Sequence, residues 1–140
     1  MHRIVINEIN NGLPIENTLS ILDQARINNC HYHDLINGID EDKKQDIYME
    51  LLCNTIYADM LDDFAVPVDL SRYERFCIFE CLMWLDNKKY IHHVVDHEVL
   101  TIKQIEELVN TWFQNGDSFD EESFKYLCEY LDRLDLLDLI

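Results

Sequence analysis

A chain of 140 residues with 48% hydrophobic and 28% charged side chains can bury one core and is too apolar for extended disorder. Three glycines and two prolines exclude a turn-rich all-β sandwich and favour helices. Twenty-eight acids against 11 lysines and arginines give a formal net charge of −17, which opposes direct binding of nucleic acid or an anionic membrane surface.

In chain order, the β-branched run from His2 to Ile9 alternates loosely and predicts a short strand. Asn10-Asn11-Gly12 then reads as a hairpin turn into a second strand at Leu13-Pro14-Ile15, the alternative being an irregular arm. A helix is expected from Asn17 or Thr18 to Ile27, stopped by Asn28-Asn29, and a further helical turn or two from His31 to Ile39, closed by Asn37-Gly38. Asp40 to Ala65 reads as the longest helix, with acids at the positive end of its dipole and a buried face of Met49, Leu52, Cys53, Ile56, Met60 and Phe64. Pro67 ends that segment. Ser71 and Glu74 form a capping box for the next helix, which is apolar nearly all round from Phe76 to Leu85, broken only by Glu80, and is therefore expected at the centre of the domain.

Asp86 to Lys89 reads as a turn, and Tyr90 to Leu100 as either a bent connector or a helix with His93 and His97 on one face. Thr101 with Gln104 forms a second capping box. The stripe Ile102, Ile105, Leu108, Val109, Trp112 and Phe113 follows, ended by Asn115-Gly116. Ser118 with Glu121 is read as the box opening the last helix, whose stripe is Phe124, Leu127, Cys128, Leu131 and Leu134. The expected fold is thus mainly α: a single compact domain over residues 1–140 with about five or six helices, residues 1–16 forming a strand or hairpin arm and 17–140 the helical part.

Five cysteines, no signal peptide and thiols placed within apolar runs indicate free thiols in a reducing, cytoplasmic setting. Cys77-x3-Cys81 with His93-x3-His97 approaches zinc-ligand spacing, since i, i+4 pairs on two helices can supply a tetrahedron. Cys77 and Cys81 lie in an almost wholly apolar helix, so the reading adopted is two core thiols with two exposed histidines and no metal or other cofactor. His31-Tyr32-His33-Asp34 and His92-His93 with Asp96-His97 have the residue types of general bases or pH sensors, but no nucleophile sits beside them in a recognisable turn. Neither a phosphate loop nor a nucleophile elbow is present, so no enzyme activity is assigned.

The run Ile105-Glu-Glu-Leu-Val109, Trp112-Phe-Gln-Asn-Gly116, Phe124-Lys-Tyr-Leu-Cys-Glu-Tyr-Leu-Asp132 and Leu136-Leu-Asp-Leu-Ile140 resembles the closing helices of BTB/POZ and Skp1-like domains. Ile4-Val-Ile-Asn7 with Thr18-Leu19 looks like the opening strand and first helix of the potassium-channel tetramerisation branch of that family, with the usual glycine displaced to Gly12. The resemblance lies mainly in residues 101–140 and leaves 30–100 unaligned. It implies a non-catalytic adaptor that self-associates or recruits a larger scaffold such as a cullin.

Two functional readings follow. In the first, the chain is a protein–protein interaction module, self-associating into a homo-oligomer or serving as an adaptor, and Leu134, Leu136, Leu137, Leu139 and Ile140 are its docking patch. In the second, it is an acidic inhibitor or immunity protein for a basic nuclease-type partner. Its contacts would then be Asp40, Glu41, Asp42, Asp59, Asp62 and Asp63 together with Asp117 and Asp120, Glu121 and Glu122.

Overall fold

The structure, a computed structural model, describes residues 2–53, 57–66 and 69–139. The helices in chain order are α1 (His2–Asn10), α2 (Ile15–Ile27), α3 (Tyr32–Gly38), α4 (Glu41–Cys53), α5 (Arg72–Trp84), α6 (Lys88–Asp96), α7 (Ile102–Gln114) and α8 (Glu121–Tyr130). Two 3-10 helices, Ala58–Asp63 and Leu134–Leu139, complete the set, which exceeds the five or six helices expected. Among the described residues no helix is long and apolar enough to cross a membrane.

No strand occurs among the described residues, so the N-terminal hairpin is replaced by a helix. The reason is the period of burial. His2, Val5, Ile6 and Ile9 turn inward while Arg3, Ile4, Asn7 and Glu8 are exposed, a helical rather than an alternating pattern. Asn10-Asn11-Gly12 does turn the chain, but as a helix C-cap. Gly12 is left-handed at φ 108°, Leu13 N–H donates to Glu8 C=O (3.0 Å) and Gly12 N–H to Ile9 C=O (3.3 Å). Leu13 and Pro14 lead directly into α2, where Pro14 C=O accepts from Thr18 N–H.

The chain forms two compact units, the first being Met1–Leu51 with Thr55–Ala65 and the second Leu52–Asn54 with Val66–Ile140. In the first, α1 and α2 both pack on α3 over a core that includes Leu22, Leu35, Ile36, Ile47, Leu51 and Leu61. Asn10 ties the end of α3 to the start of α4: its amide donates to Gly38 C=O (3.1 Å) and its carbonyl accepts from Asp40 N–H (2.8 Å). The long helix expected from Asp40 to Ala65 ends at Cys53, and a separate 3-10 helix follows. Its backbone is wound more tightly than an α-helix, with Met60 N–H donating to Tyr57 C=O three residues before (3.0 Å). Ile56 and Pro67 lie outside the described residues.

In the second unit α5 packs on α7 and α8, and α8 also contacts α6 and the last 3-10 helix. Ile78, Phe79, Leu82, Met83, Ile105, Val109, Phe124 and Leu127 form its centre. The buried Tyr90 hydroxyl donates to Leu52 C=O (2.5 Å), which holds the last turn of α4 within this unit. Both boxes at Ser71–Glu74 and Thr101–Gln104 are formed in full, and Gly116, at φ 71°, closes α7. The box expected at Ser118–Glu121 is not. α8 is capped by Asp120, whose carboxylate accepts from Ser123 N–H (3.0 Å) and Oγ–H (2.9 Å), while Ser118 C=O accepts from Trp112 Nε1–H (3.2 Å).

Candidate interaction surface

α5 is not the central, all-round buried helix that its composition predicts. Ile78, Phe79, Leu82 and Met83 face inward, but Tyr73 is 76% exposed, Phe76 40% and Trp84 49%. At about 100° per residue these three fall within roughly 40° of Glu80, the one acid in the apolar run. Glu80 therefore marks an outward meridian that aromatic residues share with it, and this was the signal in the sequence. The aromatics hide it because their size and apolarity read as core.

Two grooves flank this face within the second unit. One, of about 450 Å³, lies between α5 and α7 and is lined by Arg72, Arg75, Phe76, Gln104, Glu107, Leu108 and Thr111. The other, of about 260 Å³, is lined by Phe76, Glu80, Trp84, Trp112, Asp117 and Ser118. Phe76 belongs to both, and its ring rests 5.8 Å from that of the buried Trp112, which Phe79 meets edge-on at 5.6 Å. The first groove is arginine-bearing; the second carries acids only. Arg75 Nη1–H also donates to Leu70 C=O (2.7 Å), which anchors the start of the helix.

The residues singled out from sequence are distributed differently. Leu134 is 55% exposed, Leu137 half-buried and Leu136 buried against the core, so those leucines share no single face. Leu139 ends the 3-10 helix, and Ile140 lies outside the described residues. Arg133 braces this terminus, reaching Asp135 (2.9 and 3.0 Å) and Glu106 (3.2 Å), and it holds the Asp135 carboxyl below the usual carboxylate range.

Several of the acids have local structural partners. Asp63 accepts from the Tyr32 hydroxyl (2.6 Å), whose pKa is raised by burial and then by that bond, and Asp59 lies 3.7 Å from Arg26. Asp120 is a cap, Glu41 lies 3.3 Å from Lys44, and Asp42 accepts from Lys43 N–H (3.0 Å); Asp40, Glu41, Asp42, Asp62, Asp117, Glu121 and Glu122 are exposed.

Cys77 and Cys81 are half-buried on α5, and Cys81 Sγ–H lies 3.3 Å from Cys53 C=O. Burial pushes the Cys53 thiol up to about 12, with the neighbouring thiols adding to the shift. His93 and His97 do share a face of α6 and its cap, with rings 4.7 Å apart, but His93 is buried rather than exposed. Among the described residues, no three of Cys77, Cys81, His93 and His97 bring their ligand atoms within 4.8 Å of one another. In the first unit His31 Nδ1 sits 3.4 Å from Asp34, at the edge of a mixed polar cleft that also takes in Arg26, Cys30, His33 and Asp63. No family model, curated protein or solved structure matches the chain.

Proposed function

We propose that the chain is a non-enzymatic protein–protein interaction module, an adaptor or self-associating domain, that docks through the outward face of α5. The observation that carries this reading is the exposure of Tyr73, Phe76 and Trp84 along a single helix face, between two grooves. Large aromatics left in water beside concave surface are the anchors from which interfaces take most of their energy. The resemblance of residues 101–140 to BTB/POZ and Skp1-like domains points to the same class of function, with a cullin-type scaffold or a further copy as the implied partner. The exposed acids Asp117, Glu121 and Glu122 support the second reading, an inhibitor that offers carboxylates to a basic enzyme.

Affinity capture from source-cell extract separates the two. With the α5 face as the docking site, partners held by the wild type persist in 0.5 M NaCl and are lost with Trp84→Glu, while Glu121→Gln/Glu122→Gln keeps them. Loss in high salt and on neutralising the acids, with Trp84→Glu harmless, would replace this reading by the acidic inhibitor.

A further inference from the structure

The α5 face carries a charge polarity along its length. The exposed Arg72 stands at its N-terminal end, beside the groove that Arg75 and Glu107 also line; Glu80 lies beyond the middle, and Asp117 borders the groove at its C-terminal end, with aromatic surface between. A helix of 13 residues is about 20 Å long, so the positive and negative ends lie within one helix length of each other. A partner laid across this face must therefore be negative opposite Arg72, apolar at the centre and positive opposite Glu80.

A second copy of the same face, turned about a two-fold axis, has that order. Isologous pairing sets residue i on j and j on i, so the arginine end of one α5 meets the acidic end of the other at two equivalent places, while Phe76 of each copy lies near the axis. Arg72 is exposed on the first turn and has no ion pair among the described residues, and Glu80 is exposed as well, so both charges are free to reach across. A uniformly basic partner would leave Arg72 without a counter-charge, and a uniformly acidic one would be repelled at the Glu80–Asp117 groove.

Building on the docking face proposed above, we infer that its occupant is a second copy of this chain, held in an antiparallel α5–α5 pairing with aromatic contacts at the centre and an Arg72–Glu80 pair on each side. One helix face with its α7 shoulder lies at the low end of stable interface sizes, roughly 1,200 Å² in total, so the dimer is expected to be concentration-dependent. The net charge of −17 on each copy adds long-range repulsion, which ordinary salt screens.

Sedimentation equilibrium at about 1–500 µM in 0.15 M NaCl tests this. Wild type dimerises, and dimer content is higher in 0.15 M than in 0.01 M NaCl. Arg72→Glu and Glu80→Arg each weaken dimerisation at least about tenfold, because either reversal sets like charges together at both equivalent places. An equimolar mixture of the two variants recovers a heterodimer within a few-fold of the wild-type constant, since each then supplies the charge the other needs. That recovery also shows that both variants fold, and Phe76→Ala weakens the dimer without being rescued by either. A wild type that stays monomeric throughout, a dimer indifferent to both reversals, or a mixture that does not recover would each overturn the pairing. A monomer whose extract partners are still lost with Trp84→Glu would leave the docking face in place and remove only the second copy as its occupant.

Discussion

At the scale of single residues, the tightest requirement is at Gly38. A Cβ there would stand 2.5 Å from Ile6 Cδ1 and 3.0 Å from Ile6 Cγ2, and Ile6 is β-branched on a helix, so χ1 rotation offers little escape. Gly38→Ala is expected to cost about 1–3 kcal/mol by overpacking, read from the shift of the urea midpoint. The cost should shrink in the Ile6→Ala background, which removes the atoms that the new methyl meets; equal costs in both backgrounds would show that the contact is not the cause. The sequence showed Gly38 as a helix stop. It held no sign that the same glycine is the seat of an isoleucine 32 residues earlier, because that contact exists only once α1 packs on α3.

At the scale of elements, the helices are closed by a recurring device, and not always with glycine. Glu98 (φ 51°) and Asp132 (φ 56°) stand in the left-handed position that Gly12 and Gly116 fill elsewhere, with Val99 N–H donating to Val94 C=O and Arg133 N–H to Cys128 C=O. An L-residue pays about 1 kcal/mol or more for that conformation. Glu98→Gly is therefore expected to stabilise the protein by roughly 0.5–1 kcal/mol, the relief of strain exceeding the entropy that glycine adds to the unfolded chain. Thermal unfolding by circular dichroism checks the sign, and a lower Tm would count against it. The stops at Asn115-Gly116 and Asn28-Asn29 were legible because glycine and asparagine announce them. That at Glu98 was not, since glutamate has no such signature, and Asp132 carries only a weak one, aspartate visiting the left-handed region less often than glycine.

At the scale of the whole molecule, stability should fall in alkali. Burial pushes the Cys53 thiol up to about 12 and the Cys128 thiol to about 11, and it also raises the Tyr32 and Tyr48 hydroxyls. In the unfolded chain thiols ionise near 8.5. Above about pH 9 the unfolded state has therefore released protons that the native state still holds, and stability declines with rising pH until the native thiols ionise in turn; below about pH 8 these groups contribute no pH dependence. The slope is at most about 1.4 kcal/mol per pH unit for each thiol. Urea midpoints at pH 7.5 and 9.5 should differ more for the wild type than for Cys53→Ala/Cys128→Ala, and equal differences would show that the thiols play no part.

What the sequence determined by itself was whatever is encoded locally. The helical class, the caps at Ser71 and Thr101, the stop at Gly116 and the inward run of α7 and α8, all but its ends at Ile102 and Leu134, which are exposed, each depend on residues three or four apart along one backbone. Tertiary structure decided the rest. Whether His2–Ile9 alternates or coils was settled by which of its residues met α3. Which leucine of the terminal run is buried, and which aromatics of α5 remain in water, depended on how many neighbours surround each element. Apolarity states only that a side chain gains by leaving water; it does not say whether its own fold or another surface receives it.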